Sequence, residues 1–366
     1  MTKLSKDNLF VLVKSMTKSE KRQFKLYVGR LGVNEDSKFL LLFKALDSMK
    51  KYNEHTIIKQ EFVKKKQLSN LKAHLYKQIL ISLKLNPSHQ NLRIQLREQL
   101  DFATILYHKG LYKQSLKILE KAKTLAIKNQ EKNIAYEIVE LEKIIESQYI
   151  TRSLNNRADE LTIQAKELSH QNVIASKLSN LSLQLYGLFL KTGYVKNDKE
   201  FQKVKDYFNK RLPVFKIETL GFREKLWLYK SYLWYSFLIQ DFKSCYKYSR
   251  KWVDLFYDNE SMIPLNPVFF LKGYQYLLET LFYTKHHTKF KTCLSDFEDI
   301  TQKSWFPNDD NINGLVFLYL YSNKINLKFM QGTFKEGIPL INEVLVGLNK
   351  YNNQIDEHHV MVFYYK

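Results

Sequence analysis

Two adjacent histidine pairs, one Asp/Asn-rich segment and two clusters of basic residues are the groups here whose types and spacing could do chemistry. His286-His287 and His358-His359 offer imidazoles to a metal. Neighbours on a helix diverge by about 100°, however, so neither pair converges on one ion. Both read as solvated positions at a turn or on a helix face. Asp309-Asp310-Asn311-Ile312-Asn313-Gly314 opens like a calcium loop, with oxygen ligands at alternate positions and then a glycine. The closing position of such a loop needs a bidentate Glu. Here it is Leu320, inside the apolar run Leu315–Tyr321. The segment is expected to cap a helix instead. No HExxH, GxGxxG, GxxxxGK[ST], GxSxG or paired CxxC occurs. The expectation is a noncatalytic chain with no cofactor and no resident metal.

The basic residues carry a different chemistry. Lys18, Lys21, Arg22 and Lys25 follow i, i+3, i+4, i+7 spacing on a helix expected over Thr17–Leu31. That spacing predicts one exposed face opposite Leu26 and other apolar positions. Lys64-Lys65-Lys66, with the helix after it, could form the turn and second helix of a helix-turn-helix, aiming Lys72, His74 and Lys77 at a groove. The alternative is an ordinary amphipathic helix with a solvated basic face. Lys18, Lys21, Arg22, Lys25, Lys64, Lys65, Lys66, Lys72 and Lys77 are therefore the candidate contacts for an anionic partner: RNA, DNA, a ribosome or an acidic protein. The formal net charge is +21, from 58 Lys+Arg against 37 Asp+Glu. Residues 1–90 hold 19 basic and 7 acidic residues, a net of +12, so the excess is concentrated there. AT-rich codon usage would also raise Lys, Asn, Ile, Tyr and Phe together, and charge alone names no site.

Aromatic residues crowd Leu226–Phe237: Trp227, Tyr229, Tyr232, Trp234, Tyr235 and Phe237. On a helix they cover every face. Exposed members could stack on bases or grip a peptide. Burial between neighbouring helices is the expected outcome.

Helices must position all of these groups. Only 6 Pro and 11 Gly occur in 366 residues, too few turn residues for a sandwich or a doubly wound sheet. The fold class expected is all-α. Pro87 divides it into a basic N-terminal helical bundle region, 1–90, and a repeat region, 91–366, because the residue before proline leaves the helix. Five short helices are expected in the first region. Ser5 or Asp7 caps the first, a Thr17–Glu20 capping box opens the second and Gly29–Gly32 ends it. Phe39–Met49, Thr56–Lys65 and Ser69–Leu85 follow.

The second region repeats. Residues 99–127 read QLDFATILYHKGLYKQSLKILEKAKTLAI. Ala103, Ser115 and Ala122 are the small residues that let two helices approach, Gly110 makes the turn and Tyr112 covers it. The segment resembles a tetratricopeptide unit. Further turns are expected at Ser153, Gly193-Tyr194, Gln240-Asp241-Phe242, near His286-His287, and at Gly332-Thr333-Phe334. Ala158 and Ala165 would follow the second, a Leu181–Leu190 helix would precede the third, and Cys245 and Trp252 would follow the fourth. These turns lie 40 to 47 residues apart, against about 34 in the tetratricopeptide family. The resemblance covers roughly residues 91–350. It implies an α-solenoid of helical hairpins whose concave face holds a protein or peptide ligand. The basic first region ahead of such an array also resembles, in outline, the plan of helix-turn-helix regulators with tetratricopeptide-like repeats.

The run from Leu12 to Tyr27 is similar to the opening of uncharacterised tetratricopeptide-like proteins common in Bacteroidota, which implies no activity. Ile355–Lys366 reads as one more helix. Two cysteines, Cys245 and Cys293, are too few for a disulfide framework, and they point to a cytoplasmic chain with free thiols. No run approaches the ~18 apolar residues of a membrane span.

Overall fold

The computed structural model describes residues 7–32, 37–148, 156–351, 355 and 357–364. The described residues form helices joined by short links, with no strand. The chain divides into two compact units, Met1–Asp101 and Phe102–Lys366.

The first unit holds α1 (Asn8–Ser15), α2 (Lys18–Arg30), α3 (Lys38–Ser48), α4 (Glu54–Ile58), α5 (Lys65–Lys84) and the start of α6 (Leu92–His108). Asp7 caps α1 by accepting from the Phe10 amide at 3.0 Å. The capping box of α2 is complete: Thr17 Oγ1 accepts from the Glu20 amide at 3.2 Å, and Glu20 Oε2 from the Thr17 amide at 2.6 Å. Phe24, Val28, Phe43, Leu46, Leu75 and Ile79 make a fully buried core between α2, α3 and α5. Two expected boundaries move. The fourth helix runs over Glu54–Ile58 and not Thr56–Lys65, because Asn53 caps it early and Glu61 takes a positive φ of 60° just beyond it. The fifth begins at Lys65 and not Ser69, with Lys64 at its N-cap, so the three-lysine run opens a helix and is not a turn. Pro87 stands in a short 3₁₀ turn between α5 and α6.

The second unit continues with α7 (Tyr112–Lys128), α8 (Lys132–Gln148), α9 (Arg157–Thr192), α10 (Asp198–Arg211), α11 (Phe222–Leu238) and α12 (Phe242–Tyr257). It ends with α13 (Met262–Leu265), α14 (Pro267–Tyr283), α15 (His287–Thr301), α16 (Asp310–Gln331), α17 (Phe334–Lys350) and α18 (Glu357–Tyr364). Helices near in sequence pack together: α7 on α8, α8 on α9, α9 on α11, α11 on α12, α12 on α14, α14 on α15 and α16, and α16 on α17. The last helix, α18, packs against α16.

One link recurs. Gly110, Gln130, Gln240, Lys285 and Gly332 have φ of +72°, +60°, +59°, +54° and +70°. In each case the next amide reaches back five residues: Leu111 to the Leu106 carbonyl, Glu131 to Ala126, Asp241 to Ser236, His286 to Leu281 and Thr333 to Lys328, at 2.8 to 3.1 Å. This is the left-handed helix stop that satisfies the last free carbonyls. The following helix begins one residue later every time. Four of these links fall where turns are expected; the one at Gln130 lies between two expected turns.

Small residues set the spacing. Ser115 is buried, and its Oγ donates to the Ala103 carbonyl at 2.8 Å. A Cβ on Gly273 would stand 2.8 Å from the Trp252 indole, and one on Gly347 would run into the Phe317 ring. Buried ion pairs tie the early helices: Lys123 to Glu142 at 2.6 Å, and Lys132 of α8 to Glu224 of α11 at 3.0 Å.

One expectation fails. A helix break is expected between the Ala158–Ala165 helix and the Leu181–Leu190 helix. Instead α9 is a single helix of 36 residues. Residues 157–186 contain neither Gly nor Pro, so nothing interrupts the i→i−4 bonds. The turn expected at Ser153 lies outside the described residues.

Candidate functional site

The expected contacts for an anionic partner lie on α2 and α5. Lys18, Arg22 and Lys25 are exposed on α2, and Lys64, Lys65, Lys66 and Lys77 at or along α5. The other two are engaged within the unit. Lys21 pairs with Asp47 at 2.7 Å. Lys72 bonds to Asp7 at 3.0 Å and to the Tyr52 hydroxyl, with Glu54 at 3.5 Å. Those neighbours hold the Lys72 ammonium above the ordinary lysine range against the opposing effect of burial. The apolar face of α2 is Phe24 and Val28, both fully buried, whereas Leu26 is exposed, so the basic face is not opposite Leu26. His74 is exposed, with its ring 5.1 Å from Phe39.

The other singled-out groups fall as follows. Asp309 caps α16 by accepting from the Ile312 amide at 3.0 Å, and Leu320 is buried. His286 is the N-cap residue of α15 and His287 its first residue; the His358 side chain lies outside the described residues. Among the described residues no three His, Cys, Asp or Glu side chains gather around a common point. None of the six aromatic residues of Leu226–Phe237 is exposed.

A cleft of about 500 Å³ lies between α9, α11 and α14. Each helix gives it one face. α9 supplies Ser179, Ser182, Leu183 and Tyr186 at i, i+3, i+4, i+7, with Asn180 beside them, α11 supplies Trp227, Lys230 and Trp234, and α14 supplies Lys272 and Tyr276. The Lys230 Nζ sits 4.9 Å from the Trp227 ring centre and 5.7 Å from that of Phe269. The Lys272 Nζ sits 5.2 Å from Tyr276 and 5.6 Å from Tyr319. Each ammonium thus faces aromatic rings. Among the described residues neither lysine forms an ion pair. Burial, reinforced by the Lys272 charge, pushes Lys230 down to about 8. Burial lowers Lys272 as well, against the opposing charge of Glu279.

Comparison with family models, curated proteins and solved structures finds no match for this chain. Its site has to be read from its own geometry.

Ser182 completes that geometry. It is 1% exposed, and its hydroxyl has no hydrogen-bond partner. A helical serine ordinarily bonds to the carbonyl four residues back. Here that carbonyl, of Leu178, already accepts from Ser231 Oγ of α11 at 3.0 Å. The sequence carries a signal for this cleft in two lone charges. Lys230 is the single charge in the apolar run Leu226–Ile239, and Lys272 the single charge in Pro267–Leu278. A lone charge inside a buried helix opposes folding unless something uses it.

Proposed function

We propose that this chain is a noncatalytic helical-repeat scaffold that holds a protein or peptide segment. The observation that carries this reading is the single link geometry used at Gly110, Gln130, Gln240, Lys285 and Gly332. A recurring link with nearest-neighbour packing is what stacked hairpins require, and in this reading they form an α-solenoid resembling tetratricopeptide arrays. The helices α9, α11, α14 and α16 then make one row, whose length suits an extended segment better than a compact substrate. The two free buried thiols favour a reducing, cytoplasmic setting. A photo-crosslinking residue placed in turn at Tyr186 and Gln275 in the row, and at Lys247 and Lys291 away from it, tests the reading. Peptides selected from a displayed library should crosslink from the row only. Equal crosslinking from both sets, or no selectable peptide, would overturn it.

A second reading rests on the exposed cluster Lys18, Arg22, Lys25, Lys64, Lys65, Lys66 and Lys77. Such residues track phosphates without reading sequence, as a protein associated with RNA, DNA or ribosomes would. Binding of RNA or duplex DNA should weaken steeply with salt, at about one logarithmic unit per contact. Reversing Lys18, Arg22 and Lys25 to Glu should remove it while the helical circular-dichroism signal stays. No binding by the unmodified chain at low salt ends this reading.

A further inference from the structure

The cleft between α9, α11 and α14 contains three polar groups that helix packing does not use. An apolar side chain in place of Lys230 or Lys272 would fit the surrounding rings at no loss of hydrogen bonds. The Ser182 hydroxyl is buried with no partner, which also opposes folding. Two lysines that packing does not need, with an unsatisfied serine in the same lining, make this cleft the candidate binding site.

Their chemistry defines the ligand. Two ammonium groups facing one cleft form a site for an anion. An ammonium group covers one face each of Trp227, Tyr276 and Tyr319. All lining residues are mid-helix, with backbone amides committed to their own helices, and none is arginine. The donors that most often hold a phosphate are therefore missing. The rim carries two large apolar side chains, Leu183 at 68% and Tyr186 at 39% exposed, beside the exposed Asn180.

We propose that the cleft binds a small hydrophobic monocarboxylate, an aryl or alkyl acid. Its carboxylate lies between Lys230 and Lys272, and its apolar body covers Leu183 and Tyr186. A small acid binds here whether or not the helical row also holds a peptide.

The test uses the full chain and follows tryptophan fluorescence, with calorimetry as a check. The probes are 3-phenylpropionate, octanoate, 3-phenylpropanol, inorganic phosphate and a glutamate-rich peptide. At least one acid should bind saturably, and the alcohol at least about tenfold more weakly than 3-phenylpropionate. Lys230→Met and Lys272→Met should each weaken acid binding by about tenfold or more without lowering the melting temperature. Neither acid binding at millimolar concentration, equal binding of alcohol and acid, or unchanged affinity in both lysine variants would overturn the site. Tighter binding of phosphate than of either acid would overturn the carboxylate. Tighter binding of the glutamate-rich peptide would overturn the small ligand, and would instead support a peptide in the same cleft.

Discussion

Ser231 Oγ donates to the Leu178 carbonyl at 3.0 Å, across the contact between α11 and α9. Its one hydroxyl hydrogen is shared between that carbonyl and the Trp227 carbonyl of its own helix, at 2.8 Å. Ser231 therefore joins the two helices and takes the acceptor that Ser182 would otherwise use. Ser231→Ala should destabilise the second unit by about 1 kcal/mol, measured from the urea midpoint, because a buried interhelical hydrogen bond is lost. No change in the midpoint would mean that this bond contributes nothing to holding α9 on α11.

The five equivalent links make opposite predictions according to the residue they hold. At Gly110, a change to Val forces a β-branched side chain into the left-handed region and should cost about 1 kcal/mol or more. At Lys285 the strain is already present, so Lys285→Gly should stabilise by about 0.5 kcal/mol. Thermal melts of the two variants check this. Shifts of the same sign would show that the links are not equivalent.

A side chain on Gly347 would fall where the Phe317 ring stands. Gly347→Ala should destabilise by about 1–3 kcal/mol through overpacking between α16 and α17. Adding Phe317→Leu should recover part of that loss. A double variant no more stable than Gly347→Ala alone would point to backbone strain as the cause, not the ring.

Lys230 gives a pH signature. Its folded value of about 8 lies below the ordinary 10.5. Between those values the unfolded chain holds the proton and the folded chain does not. The group's contribution to stability therefore rises with pH across that window and is least favourable below it. Lys230→Met should flatten this part of the stability profile. At pH 7 it should raise stability by about 1–2 kcal/mol, allowing for partial solvent screening of the charge. Parallel profiles for the two proteins between pH 7 and 10.5 contradict the assignment.

Cys245 and Cys293 are free and buried, and burial pushes both thiols up to about 12. In the native protein a thiol reagent at neutral pH should react slowly with both, since the thiolate is the nucleophile. In urea without reductant it should find two thiols, one for each of these residues. Rapid reaction of the folded chain would place at least one cysteine at the surface.

How much was legible in the sequence follows from which forces leave a residue signature. The capping box at Thr17–Glu20 and the stops at Gly110 and Gly332 are local, and their residue types announce them. The link at Gln130 uses the same backbone geometry with a side chain that marks nothing. The long run of α9 was misread because small residues at Ala158 and Ala165 suggested a complete hairpin, whereas continuity was decided by the absence of Gly and Pro. Lys21 and Lys72 show the limit for charges. Spacing puts them on a basic face, but Asp47 and the Asp7–Tyr52–Glu54 group, remote in sequence, take them up. The cleft required knowledge that α9, α11 and α14 meet, which no local pattern supplies.

The undivided α9 has a consequence for how the second unit comes apart. At about 1.5 Å per residue it is a rod of about 54 Å. α8 runs along its first half, where Arg157 reaches Glu142 and Asn172 reaches the Lys132 carbonyl. α11 holds the second half, where Leu178 accepts from Ser231 and Tyr186 meets Trp234. In an array of separate hairpins each layer can open alone. Here, opening the α8 layer means either breaking a helix in mid-run or dragging the α11 layer with it. Backbone amides around Leu161 and around Leu185 should therefore exchange with solvent through one shared opening event, at the same free energy, as a single foldon.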